Sequence, residues 1–135
     1  MEFPVYYHYF GRTLRVDDHF SGFVLDQWTG YFEVADFEEI NRATSNLSHP
    51  EIWTLSFDEF VLETEAQRMH HSPAPGPIAE LYSAALEILE NAYRNGHRPP
   101  CEEHDRVDNI FRRSYLMWDD LNGNGNVRPV DAPDS

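Results

Sequence analysis

The chain has 135 residues, of which 41% are hydrophobic and 14% aromatic, and its formal net charge at pH 7 is −14. This content of core-forming side chains excludes a disordered acidic tail, and the length fits one ordinary folded domain. The excess of carboxylates disfavours nucleic acid and anionic membranes as direct partners, and it favours basic protein surfaces or cations.

The first 37 residues are rich in aromatic side chains with turn residues between them, a pattern typical of β-strands. We predict one strand over 3–10, a shorter one over 12–16, and a hairpin with arms 22–26 and 31–34. Gly30 lies in the hairpin turn, where it can supply the positive φ that such turns usually need.

Four helices are predicted after these strands, over 36–46, 56–70, 77–95 and 102–120. Asp36 with Glu39, and Ser56 with Glu59, have the spacing of capping boxes. Apolar stripes at helical spacing mark the third and fourth helices as packed against a core, and they run to Tyr93 and Leu121. The predicted fold is therefore α+β, with an aromatic-rich N-terminal antiparallel sheet followed by about four helices packed on it. We assign residues 1–121 to a single domain and 122–135 to a Gly/Asn-rich loop and tail.

All ten basic residues are arginines, and Cys101 is the only cysteine. A bias toward GC-rich codons, adaptation to high salt and selection against a modifiable amine each fit the absence of lysine. A single cysteine excludes an intrachain disulfide framework. No signal-peptide pattern and no apolar run of membrane-spanning length is present, so we expect a soluble, cytoplasmic protein, with export that needs no cleavable signal as the alternative.

The most specific local pattern lies near the C-terminus, where oxygen-bearing side chains alternate with other residues before a glycine. Calcium loops place side-chain oxygens at positions 1, 3 and 5, a glycine at position 6 and a carboxylate at position 12. The segment 120–131 resembles the calcium loops of EF-hand and dockerin-like sites. The resemblance implies calcium ligands at Asp120, Asn122, Asn124, Asn126 and Asp131. The alternative is a helix terminus and tail, with Gly123 as the C-cap.

A second candidate metal site is formed by His97, Cys101 and His104, whose spacing allows convergence on zinc, with His70 or His71 as a fourth ligand. The alternative is an ordinary interhelical loop. Neither candidate makes a cofactor necessary, and we predict none except calcium.

The acidic charge is concentrated between Asp17 and Glu65, a stretch that contains twelve Asp/Glu residues and one basic residue, Arg42. The sequence carries no nucleophile-elbow, phosphate-loop or HExxH motif, so we predict a protein that is not an enzyme. Aromatic anchors among carboxylates suit an inhibitor that covers a basic surface, such as an immunity protein or a nucleic-acid mimic. Its partner would be a nuclease, a toxin or a nucleic-acid-binding enzyme. The candidate contacts are Asp26, Trp28, Glu33, Asp36, Glu38, Glu39 and Glu51. The alternatives are a calcium-binding module, an enzyme whose site is assembled from scattered residues, and a surface whose acids only keep the protein soluble.

Overall fold

The computed structural model describes residues 3–17, 21–45, 49–96 and 101–122. Its strands form one antiparallel sheet: β1 (Val5–Tyr9), β2 (Arg12–Asp17), β3 (Ser21–Leu25), β4 (Phe32–Val34) and β5 (Ile52–Leu55). The order across the sheet is β4-β3-β2-β1-β5, so the last strand lies beside the first. The helices are α1 (Phe37–Ser45), between β4 and β5, and then α2 (Phe57–His71), α3 (Gly76–Arg94) and α4 (Cys101–Asn122).

Local sequence signals fix the ends of several elements. Asp36 accepts a hydrogen bond from the Glu39 amide at 2.8 Å, and the Glu39 carboxylate accepts one from the Asp36 amide at 3.2 Å. Ser56 and Glu59 form the same reciprocal pair at the start of α2. Both predicted capping boxes are therefore confirmed, and each satisfies backbone donors that the first helical turn leaves unpaired.

The alternation of side chains along the strands gives the sheet two different faces. On one face, Tyr7 and Tyr9 of β1 pack against Ile40 and Ala43 of α1. The opposite face buries a second cluster against α2 and α4: Leu25, Phe32, Phe60, Val61 and Tyr115, with Tyr6, Phe23 and Leu55 at its border. Helices α3 and α4 pack against each other and complete a further layer through Ala85, Val107 and Phe111.

The predicted α+β class and the four helices are confirmed, whereas one strand was missed and two residues of the predicted apolar stripes are exposed. Strand β5 was not foreseen, because only four residues form it and it pairs with β1, which is far away in the sequence. Tyr93 and Leu121, expected in the apolar stripes, are exposed, and each is the second-last residue of its helix. Trp118 is fully buried whereas Met117 is half-buried, which resolves the choice between these two residues in the fourth stripe.

Candidate functional site

A buried ion pair joins two residues of α2 that are one turn apart. Glu65 and Arg68 are both fully buried, and Arg68 Nη1 donates to Glu65 Oε2 at 2.8 Å. The other carboxylate oxygen of Glu65 accepts hydrogen bonds from the Tyr82 hydroxyl, at 2.8 Å, and from the Ser114 hydroxyl. Burial of a charged pair is tolerated only when further hydrogen bonds of this kind satisfy it. The pair therefore ties α2 to both α3 and α4.

The guanidinium of Arg68 is also enclosed by aromatic rings and by the sheet. It lies 4.5 Å from the centroid of the Trp118 ring and within 6.0 Å of those of Phe32 and Tyr115. Arg68 Nε donates to the backbone carbonyl of Gly30 at 2.7 Å. Arg68 thus fixes the β3–β4 turn against the helical layer.

Gly30 allows this turn to lie directly on α4. Its φ is +83°, and a Cβ built at this position would lie 2.8 Å from Trp118 Cη2. The turn is closed by the Asp26 amide, which donates to the Tyr31 carbonyl at 2.9 Å. Only glycine meets both the backbone and the steric demand without strain.

The turn, the α2–α3 loop and α4 enclose a cavity of about 450 Å³, which we call the aromatic groove. Its lining residues are Trp28, Thr29, Tyr31, Pro73, Ala74, Pro75 and Trp118. Trp28 is 72% exposed and contacts the ring of His71, with 5.6 Å between the two centroids. The Ser72 hydroxyl donates to the Gln27 carbonyl and so links the two walls.

A smaller cavity of about 280 Å³ adjoins the aromatic groove and shares Pro75 with it. Its other lining residues are Pro77, Ile78, Met117, Asp120 and Leu121. Together the two cavities form an apolar depression along the α2–α3 loop that ends beside the exposed carboxylate of Asp120.

The acidic residues predicted to contact a partner lie in three separate places. The first is the segment 33–38, which leads from β4 into α1 and carries Glu33, Asp36 and Glu38 on the surface, with the half-buried Glu39 next to it. We call 33–38 the β4–α1 segment. The other two places are the β3–β4 turn, with Asp26 and Trp28, and the residues just before β5, with Glu51.

Asp26 and Trp28 belong to the β3–β4 turn, where Asp26 Oδ1 accepts a hydrogen bond from the Trp28 amide at 2.9 Å. Glu51 lies just before β5, and its carbonyl accepts a hydrogen bond from the Phe10 amide at 3.0 Å. The structure therefore brings some of the predicted contacts together in the β4–α1 segment and places the others elsewhere.

Several other acids of the stretch from Asp17 to Glu65 have partners inside the protein. Glu65 is buried, as described above. Asp58 forms a bidentate ion pair with Arg112 of α4, with N–O distances of 2.8 and 2.9 Å. The hydrogen bonds from this arginine lower the pKa of the Asp58 carboxyl group. Glu63 lies 3.0 Å from the His8 ring nitrogen. The concentration of acid in the sequence is therefore not one continuous acidic surface.

The predicted metal ligands are only partly described. Asp120 is exposed near the end of α4, and Asn122 is the last residue of that helix, whereas Asn124, Asn126 and Asp131 lie outside the described residues. Calcium binding therefore stays a prediction.

For the zinc candidate, Cys101 is exposed and His97 lies outside the described residues. His104 has Asp105 and Asp108 as its neighbours, and its Nδ1 is 3.4 Å from Asp108. Among the described residues this group of three is the one whose ligand atoms approach one another, and Cys101 does not belong to it.

Sequence reasoning missed the Glu65–Arg68 pair and the groove that it supports. A signal was present, because Thr64, Glu65 and Arg68 follow Val61 by three, four and seven residues and so lie on the same helical face as Val61. Two opposite charges on the buried face of a helix indicate an interior ion pair. Thr64 confirms the direction of this face, since its hydroxyl lies 2.8 Å from that of Thr13 in β2.

The buried phenols make the stability of the fold sensitive to alkali. Burial raises the pKa of Tyr115 to about 12, and burial together with the neighbouring Glu65 carboxylate raises the pKa of Tyr82. In the unfolded chain both phenols ionise near pH 10, so between about pH 10 and 12 the unfolded state has lost protons that the folded state keeps. We therefore expect the free energy of unfolding to fall by roughly 1.4 kcal/mol per pH unit for each such phenol in this range.

Urea unfolding at a series of pH values measures this fall. The variant Tyr82→Phe is expected to start from a lower stability but to show a shallower decline above about pH 10, because one of the two phenols is gone. An unchanged slope in the variant would mean that Tyr82 does not contribute to the alkaline loss.

None of the helices in the described part of the chain is both long and apolar enough to span a bilayer. Comparison of the chain with protein-family models, with curated proteins and with solved structures gives no match.

Proposed function

We propose that the protein acts stoichiometrically, by covering a basic functional surface of another protein with its β4–α1 segment. The observation that carries the proposal is the combination of side chains in this segment. Val34 and Phe37 are 76% and 65% exposed, and along the chain they alternate with the acidic residues Glu33, Asp36 and Glu38. A short segment that carries both exposed apolar side chains and carboxylates suits an interface with apolar contacts and a charged rim.

The two kinds of side chain have different roles in this proposal. Val34 and Phe37 lose water on contact and provide most of the binding free energy. The carboxylates of Glu33 and Glu38 attract arginines and lysines of the partner, which speeds association and selects basic surfaces. Asp36 and Glu39 contribute less, because the capping box already occupies their carboxylates.

The net charge of −14 also favours a basic partner. The negative charge attracts a basic partner before the two surfaces touch. Salt weakens this attraction, because the Debye length at physiological ionic strength is about 8 Å. Such a surface would fit an immunity protein that neutralises a nuclease or another toxin, and equally an inhibitor that occupies a nucleic-acid channel. Both settings share one chemistry, which is a partner surface rich in arginine and lysine.

The test is charge reversal in the β4–α1 segment. The tagged protein is used at low salt to capture its partner from a lysate of the source cells, and the affinity for the purified partner is then measured by calorimetry at several salt concentrations. We expect the double variant Glu33→Arg/Glu38→Arg to bind at least about tenfold more weakly and with a smaller dependence on salt.

The matched control reverses two exposed acids of α3 by the changes Glu80→Arg and Glu87→Arg, which alter the net charge equally. This control is expected to stay within about twofold of the wild-type affinity at physiological salt, where exposed charges far from the interface are screened. Equal losses in both double variants would show that net charge alone drives binding. Unchanged binding in the Glu33→Arg/Glu38→Arg variant would contradict the proposal.

A further inference from the structure

We propose that the aromatic groove is a binding site for an arginine side chain, supplied by an extended basic segment of the partner protein. The identity of the donor as a partner protein rests on the function proposed above, but the affinity of the groove for a guanidinium does not. Four features of the groove carry the inference.

The first feature is the aromatic lining. Trp28 and Tyr31 come from the β3–β4 turn and Trp118 comes from α4, and the rings of Tyr31 and Trp118 meet edge to face with 5.6 Å between their centroids. Tryptophan and tyrosine faces attract cations, and a planar guanidinium can also stack on them. Trp118 is only 1% exposed and forms the floor of the groove, so the faces open to a ligand are those of Trp28 and Tyr31. The volume of about 450 Å³ leaves room for a whole side chain and part of its backbone.

The second feature is the sign of the charge. Of the described residues that line the two adjoining cavities, Asp120 is the one with a charged side chain. A second carboxylate, that of Asp26, lies in the turn that presents Trp28. The buried Arg68 is balanced by Glu65, so it adds no net positive charge beneath the groove. A cationic ligand is therefore favoured over an anionic one.

The third feature is that the rings are held in place before any ligand binds. Trp118 Nε1 donates to the Tyr82 hydroxyl at 2.8 Å, which fixes the orientation of the indole. Arg68 holds the turn through the Gly30 carbonyl, and the Ser72 hydroxyl holds it through the Gln27 carbonyl. A site that is already ordered pays less conformational entropy on binding.

The fourth feature is a precedent inside the same protein. The buried Trp118 ring already accepts the guanidinium of Arg68, which lies 4.5 Å from the ring centroid. Trp28, in contrast, is 72% exposed, so its ring is open to a ligand. An arginine that enters beside Trp28 would reach the groove and bring its charge toward Asp120.

The experiment compares two short peptides that differ only in charge. One is an acetylated and amidated Gly-Arg-Gly peptide, and the other carries citrulline, the neutral isostere of arginine, in the central position. Binding is followed by two-dimensional NMR through the indole N–H signals of the three tryptophans. We expect saturable shifts of the Trp28 and Trp118 signals, with an affinity for the arginine peptide at least about fivefold above that for the citrulline peptide.

Variants locate the site. Trp28→Ala is expected to weaken binding of the arginine peptide by at least about fivefold, and Trp28→Phe is expected to recover part of it, because phenylalanine keeps an aromatic face. The matched control is Trp53→Ala, which removes another exposed tryptophan that stacks on His8, outside the groove. This control should leave the affinity unchanged. Because Trp28 is largely exposed, its replacement should not unfold the protein.

Equal affinity for the two peptides would overturn the inference, since the groove would then be a neutral apolar site. Loss of binding in Trp53→Ala but not in Trp28→Ala, or the absence of saturable shifts, would also overturn it. The outcome is separate from that of the proposed function. The Glu33→Arg/Glu38→Arg variant keeps the groove intact, so it should still bind the arginine peptide even if the β4–α1 segment proves to have no partner.

Discussion

Replacement of Arg68 by methionine is expected to lower the free energy of unfolding by about 3–5 kcal/mol, because Glu65 would remain charged and unpaired in the interior. Arg68 is fully buried, contacts the Glu65 carboxylate and donates to the Gly30 carbonyl, so one change breaks an ion pair and a link between layers. Urea unfolding followed by far-UV circular dichroism measures the loss.

Two comparisons identify the cause of that loss. Arg112→Met breaks the exposed ion pair with Asp58 and should cost much less, because water solvates the carboxylate that is left. The double variant Glu65→Gln/Arg68→Met removes both charges and keeps an acceptor for Tyr82 and Ser114. It should therefore be more stable than Arg68→Met alone. If Arg68→Met and Arg112→Met were equally stable, the buried pair would have no special weight in the fold.

Replacement of Gly30 by alanine is expected to cost about 2–4 kcal/mol, as the sum of backbone strain and overpacking. The φ of +83° is unfavourable for alanine, and the new Cβ would lie 2.8 Å from Trp118 Cη2. Since Trp118 is fully buried and its indole nitrogen is hydrogen-bonded, neither the ring nor the turn can move freely. Chemical unfolding gives the cost, and the indole N–H signal of Trp118 should shift in the same variant.

Gly11→Ala is the matched control for this prediction. Gly11 has a similar φ of +76°, but a Cβ there would meet no atom within 4 Å. Its cost should be limited to the backbone contribution of about 1–2 kcal/mol. Equal costs at the two glycines would show that contact with Trp118 does not constrain the β3–β4 turn.

Local signals in the sequence were sufficient to predict most of the elements. The capping boxes that begin α1 and α2 each depend on residues three positions apart, and the break after α3 depends on Gly96, whose φ is +73°. In contrast, β5 is defined by its pairing with β1, a contact between distant parts of the chain. Four residues carry too short a pattern for such a strand to be recognised on its own.

The candidate site was predicted less completely for the same reason. Trp28 was identified as a surface contact, but the groove also requires Trp118 from α4 and two prolines from the α2–α3 loop. Their meeting depends on the packing of the helices over the sheet, which the spacing of residues does not encode. The count of charges was misleading in one respect, because it ended the acidic stretch at Glu65, although Arg68, one helical turn further on, neutralises this residue.

The position of β5 also has a consequence for how the chain acquires its structure. Tyr9 pairs with Arg12 across a tight turn but also with Ile52, after the chain has passed through three more strands and α1. Contacts between near neighbours close with little loss of entropy, whereas the distant pairing needs a long loop to be ordered first. During synthesis the meander of β1 to β4 can therefore form before β5 has emerged from the ribosome. In that interval the backbone groups on one side of β1 have no neighbouring strand. This exposed edge can then pair with a strand of another chain, so we expect aggregation of the nascent protein to begin there.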